Sequence, residues 1–186
     1  MGVVATQEQI GQVVDGMAQK IIAAEYPNPV YLALLNGAVP FAVTLMCAIQ
    51  ARSSDEDAPT LYYMHVSTYG SGQEARTPRI QSDTLGALSL RDRTVIVLDD
   101  VHDTGTTLGA VQKYLLARDV KDGLTEDDIK FAVLAQKDVP RSNDIEADHV
   151  GIYLGSEWLY GAGLNGMPGV ANPEAGRWTR QISIAD

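Results

Sequence analysis

One segment restricts the folds open to this chain more than any other: Val95-Ile96-Val97-Leu98-Asp99-Asp100-Val101-His102-Asp103-Thr104-Gly105-Thr106-Thr107-Leu108. Its four consecutive large apolar residues need cover on both faces, which a strand inside a helix-covered sheet provides. Carboxylates do not follow such a strand into the core, so Asp99 and Asp100 mark the place where it reaches the sheet edge. There they can lie beside a hydrated divalent cation or sugar hydroxyls. Asp103 to Thr107 then forms a turn of small residues that opens a helix running to about Ala117. Over such a turn backbone N–H groups can approach an anion, three threonines add hydroxyl donors, and the helix N-terminus adds partial positive charge. The segment describes an anion cradle next to an acid pair, in an α/β setting.

The flanking chain alternates in the same way. Ile10, Val13, Val14, Met17, Ile21 and Ile22 recur at helical spacing between a Thr6 cap and Tyr26-Pro27. Val30 to Leu35 is a buried strand, and Pro40 opens an apolar helix to about Ala51. Ser53 to Pro59 is a polar loop and Leu61 to Ser67 a strand, after which the Gly- and Ser-rich Thr68 to Pro78 is expected to be mobile. Phe131 to Leu134 and Val150 to Leu154 are further strands. Strands separated by helices predict a largely parallel sheet, whose ligands sit beyond the carboxyl ends of the strands.

Charge narrows the partners. With 14 Lys plus Arg against 24 Asp plus Glu, the chain carries a net charge of −10, whereas a nucleic-acid binder presents a basic footprint. A phosphate must therefore be held by backbone donors or a metal rather than by a lysine cluster. The 186 residues suit a single domain. Cys47, the single cysteine, lies in the apolar run Val43–Ile49 and is expected to be a small buried helix residue. Neither a basic-then-apolar leader nor a membrane-length apolar run is visible, which points to a cytoplasmic protein with no membrane partner. Met1-Gly2 with Thr6 matches the short myristoylation pattern, but no basic patch follows, and one acyl chain anchors weakly.

Taken in order, Asp99 to Thr107 resembles the phosphoribosyl pyrophosphate (PRPP) site of type I phosphoribosyltransferases. The remaining motifs narrow the resemblance to the hypoxanthine-guanine phosphoribosyltransferase family. Leu34-Leu35-Asn36-Gly37-Ala38-Val39-Pro40-Phe41 is similar to its pyrophosphate loop, at Leu35, Asn36 and Gly37. His65-Val66-Ser67-Thr68-Tyr69-Gly70 resembles the start of its flexible catalytic loop, with Thr68 and Tyr69 closing over the substrates. Val133-Leu134-Ala135-Gln136-Lys137-Asp138-Val139-Pro140-Arg141 resembles the strand end that supplies a base-reading lysine, here Lys137. Val150 to Leu154 and Glu157 to Asn165 resemble the purine hood, where Trp158 would stack on the base and Leu159 offer main-chain groups.

The resemblance implies a type I phosphoribosyltransferase fold over residues 1–186: a largely parallel central sheet flanked by helices, with a small hood from 155–186 and N-terminal residues. It implies that a purine (hypoxanthine, guanine or xanthine) displaces pyrophosphate from PRPP to give the nucleotide, such as IMP or GMP. Asp103 would be the general base toward N7. Thr104, Gly105, Thr106 and Thr107 would hold the 5′-phosphate, and Asp99 and Asp100 the ribose hydroxyls and, indirectly, Mg2+. A homodimer or homotetramer is implied as well. Two positions depart from the family pattern. Asn165 stands where an aspartate helps place a magnesium, and the arginine expected near Ala171 is missing, with Arg177 the candidate replacement. The alternative is a nucleotide- or PRPP-binding regulator with little turnover, against which Asp103, Lys137 and Trp158 together argue. A phospho-acceptor receiver domain would leave the Gly-Thr turn and the hood without a role.

Overall fold

The structure, a computed structural model, describes residues 2–54, 58–69, 75–118, 121, 123–164, 177 and 179–185. Strand β1 (Gly2–Ala5) leads into α1 (Gln7–Ala23), which Thr6 starts through a capping box with Gln9. Next come β2 (Val30–Leu35), α2 (Val39–Gln50), β3 (Leu61–Tyr69), β4 (Ala75–Asp83), β5 (Val95–His102) and α3 (Thr106–Arg118). A short 3-10 turn, Glu126–Asp128, precedes β6 (Ile129–Lys137), β7 (His149–Leu154), β8 (Trp158–Tyr160) and β9 (Ile182–Ala185). Among the described residues no helix is long and apolar enough to cross a membrane.

Six strands form the main sheet in the order β4-β3-β2-β5-β6-β7, parallel except for the antiparallel β4 at one edge. Alternate strand residues divide the core into two layers. Tyr31, Ala33, Ile96, Leu98, Ala132 and Leu134 pack under Val14, Met17 and Ile21 of α1 and Phe41, Leu45 and Ile49 of α2. Val30, Leu32, Leu34, Val95, Val97, Phe131 and Val133 pack on the other face under Leu108, Val111 and Leu115 of α3. Cover on both faces is why these strands read as unbroken apolar runs. A second sheet, β1-β9-β8, is antiparallel and joins the two ends of the chain. Its Leu159 and Ile182 bury in the α1–α2 layer.

Two expectations need correction. Cys47 is exposed: α2 buries Phe41, Ala42, Leu45 and Ile49, and a residue two places from Leu45 and Ile49 lies across the helix from them. The stretch Thr68 to Pro78, expected to be a mobile loop, is strand at its described residues. Thr68 and Tyr69 end β3, and Ala75 to Pro78 begin β4, while 70–74 fall outside the described residues. Pairing of Ser67 with Arg79 and Tyr69 with Ala75 is irregular, which erases the alternation that would have revealed β4. Pro78 is tolerated because β4 is an edge strand.

At the far end of the sheet the Tyr26 hydroxyl lies 2.9 Å from His149 Nε2. Burial lowers the His149 pKa, assisted by Lys20 and Lys130, with Asp148 opposing. The folded ring therefore stays neutral at pH values where the unfolded chain takes up a proton, so this group's contribution is complete above about pH 6.5 and declines as pH falls below it. Melting between pH 7 and pH 5 should show a steeper loss for the wild type than for His149→Gln, whose amide oxygen still accepts from Tyr26. Parallel curves would remove His149 from the pH response.

Candidate active site

The chain runs from β2 outward to β3 and β4, then returns to place β5 on the other side of β2. The helices that follow β2 and β5 leave toward opposite faces. Two neighbouring parallel strands whose connections part in this way open a crevice at their carboxyl ends. A cavity of about 350 Å3 lies there, within the size range of small-molecule sites. Its wall takes Leu35, Asn36 and Gly37 from the end of β2, Asp99, Asp100 and Asp103 from the end of β5, and Thr107 from α3. Lys137 comes from the end of β6 and Trp158 and Leu159 from β8. Arg177, which joins the wall, donates through Nε to the Gly163 carbonyl at 3.1 Å.

Of the residues singled out in the sequence, these stand together. Thr104, Gly105 and Thr106 form the adjoining turn, with both threonines exposed and their hydroxyls 2.9 Å apart. Thr68 and Tyr69 lie at the end of β3, whose His65, Val66 and Ser67 face the cavity. Asn165 and Ala171 lie outside the described residues. Val101 and Leu164 also line the cavity; both are apolar and carry no chemical signal in the sequence.

The acid pair is under electrostatic load. Asp99 is buried, and loss of hydration followed by the neighbouring Asp100 charge holds its pKa well above the usual carboxylate range. Burial raises Asp100 too, while its hydrogen bond with Asp99, backbone donors and the Arg177 charge act the other way. Gly37 makes room for the pair: a Cβ there would run into the Asp100 carboxylate. The Leu35–Asn36 peptide beside it is cis. At the end of β6 the Lys137 ammonium donates to Asp103 Oδ2 at 2.9 Å, with the lysine side chain largely buried and the aspartate half-exposed. Trp158 keeps 44% of its surface exposed, as a ring offered to a ligand would.

The phosphoribosyl transferase domain profile matches residues 4–158, so the chain belongs to the class of phosphoribosyltransferase-domain proteins. It is 31% identical over 166 residues to a hypoxanthine-guanine phosphoribosyltransferase of Staphylococcus epidermidis, covering 88% of this chain and 84% of that one. Accordingly, it belongs to the hypoxanthine-guanine phosphoribosyltransferase family. It also matches the bifunctional protein TilS/HprT of Listeria monocytogenes at 30% identity, spanning only 19% of that protein's length. Crystal structures share the fold: a hypoxanthine phosphoribosyltransferase of Staphylococcus aureus superposes with a TM-score of 0.79 at 23% identity, over 100% of this chain and 91% of that one. A hypoxanthine-guanine phosphoribosyltransferase of Bacillus anthracis gives 0.75 at 22% identity, over 100% and 98%.

The two glycine environments predict opposite outcomes for one substitution. Gly37→Ala forces Asp100 aside and should destabilise by about 1–3 kcal/mol, the usual range for overpacking. Gly11→Ala in α1 meets nothing within 4 Å and should stabilise by about 0.5–1 kcal/mol through helix propensity. Urea denaturation measures both, and equal effects would mean that Gly37 is not held against Asp100.

Proposed function

We propose that this protein is a purine salvage enzyme that transfers the phosphoribosyl group of PRPP to hypoxanthine or guanine, giving IMP or GMP and pyrophosphate. The observation that carries this reading is the Lys137–Asp103 pair, 2.9 Å across, in the same cavity as Trp158 and the acid pair of β5. A 6-oxopurine presents O6 and N7 side by side on one edge. An ammonium beside a carboxylate matches that edge: Lys137 donates to O6 and Asp103 accepts the N7 proton as the purine attacks the anomeric carbon. Trp158 stacks on the ring, and main-chain groups of Leu159 complete the base site. Thr104, Gly105, Thr106 and Thr107 hold the 5′-phosphate. Leu35, Asn36 and Gly37 face the pyrophosphate, where Arg177 supplies the cation that the chain lacks near Ala171. Thr68 and Tyr69, at the end of β3, cover the substrates and exclude water that would hydrolyse PRPP.

Asp99 and Asp100 fit a magnesium ion that arrives with PRPP. They are hard oxygen donors in the cavity wall, and no third His, Cys, Asp or Glu joins a metal cluster among the described residues. That suits an ion held mainly by water and substrate oxygens, with the two carboxylates supporting its shell indirectly. When bound, Mg2+ would neutralise charge on the departing pyrophosphate. Residues 1–186 are read as one catalytic unit, with the β1-β9-β8 sheet as its hood. Family membership supports a cytoplasmic enzyme working as a homodimer or homotetramer. A sedimentation run showing only monomer at micromolar concentration would count against that assembly.

Steady-state rates with hypoxanthine, guanine, xanthine and adenine, in PRPP and Mg2+, test the reading. Adenine should be rejected by several powers of ten, because a lysine offers no acceptor to its amino group; comparable use of adenine removes Lys137 from base recognition. Asp103→Asn should keep PRPP affinity and lose about two to four powers of ten in turnover, so near-normal turnover would exclude it as the base. Trp158→Ala should weaken base binding by about 1–3 kcal/mol, as for other base–aromatic stacks. PRPP binding without turnover of any base would favour the regulator instead.

A further inference from the structure

Three successive carbonyls of the phosphate turn are hydrogen-bonded by three successive residues of the loop between β6 and β7. Arg141 Nη1 donates to the Asp103 carbonyl at 3.1 Å. The Ser142 amide and hydroxyl both donate to the Thr104 carbonyl at 2.8 Å. Asn143 Nδ2 donates to the Gly105 carbonyl at 2.9 Å. In a trans peptide the N–H points opposite to the C=O. Turning the carbonyls of 103, 104 and 105 toward this strap therefore turns the amides of Thr104, Gly105 and Thr106 away from it, as in the backbone nests that bind anions. The strap also reaches the hydroxyls: Ser142 Oγ lies 3.0 Å from Thr106 Oγ1, and either hydroxyl can donate to the other.

The surroundings are shaped to admit Asn143. A Cβ on Gly105 would come within 2.8 Å of its Oδ1, and one on Gly109 within 2.7 Å of its Nδ2. Gly109 lies inside α3, where glycine costs about 0.5–1 kcal/mol relative to alanine, so the helix is weakened at the point where Asn143 enters. Asn143 Oδ1 accepts from the Ile145 amide at 3.1 Å, which fixes the direction of its own amide group.

We infer that Arg141-Ser142-Asn143 is the positioning element of the 5′-phosphate site, which aims the amides of the Thr104–Thr106 turn at the phosphate without touching it. This rests on the phosphoribosyltransferase reading and deepens it. Calorimetry with IMP and with inosine, which lacks the phosphate, separates the two. Wild-type protein should bind IMP far more tightly than inosine. Asn143→Ala and Ser142→Ala should each weaken IMP about ten-fold, the equivalent of one modest hydrogen bond, while inosine affinity is unchanged. Ser142→Thr keeps the hydroxyl and should restore IMP binding. If Asn143→Ala fails to fold, Ser142→Ala, at an exposed position, carries the same comparison. Unaltered IMP affinity in the variants, or equal losses for IMP and inosine, would overturn the strap and leave the enzyme reading standing. Wild-type protein that binds neither ligand would overturn both.

Discussion

Strands β2 and β5 lie side by side while the helices that follow them leave toward opposite faces. Neither connection can then cover the carboxyl ends of the two strands, and the crevice stays open. Every part of the candidate site uses that opening. The β2 end supplies the Leu35–Gly37 loop and the β5 end the acid pair and the Asp103–Thr107 turn. One strand farther on, β6 brings Lys137 to the same edge. The core beneath keeps these ends in register: Leu32 pairs with Val97 and Ala33 with Leu98. A one-residue slip would exchange the faces of a strand that is buried on both sides.

The acid pair shows why the crevice must be tight as well as open. Two adjacent carboxylates at a buried strand end repel each other and lose hydration. In a wide aqueous groove water would solvate them and relieve that load. Gly37 against Asp100 and Gly163 against Pro40 allow the β2 loop and the hood turn to close in from two sides. Added side chains at these two glycines would hold those walls apart.

Much of this was legible along the chain because it is local. The apolar run Val95–Leu98 ending on Asp99 and Asp100, the small residues of the Asp103–Thr107 turn and the Thr6 cap all lie within a few positions of the partners that define them. The strand–turn–helix order and the parallel sheet follow from such patterns, whereas Lys137, Trp158 and the Leu35–Gly37 loop were marked only by resemblance to a family. The β4 strand was not legible, since irregular pairing and Pro78 break its alternation. Nor were the three short strands β1, β8 and β9, each three or four residues long, too short for a period to register. The cis peptide at Leu35–Asn36 has no proline to announce it.

Sequence alone determined the acid pair at the end of β5 and the small-residue turn behind it, because burial and turn-forming preferences act between near neighbours. Only the tertiary structure decided what those groups meet. Lys137 reaches Asp103 across 34 positions, and residues 141–143 reach the carbonyls of Asp103, Thr104 and Gly105 across 38. Arg177 comes to the cavity from beyond the hood turn. Such meetings depend on strand order and on the path of a loop over the sheet edge. Both are set by the packing of whole layers, which no spacing within one segment encodes.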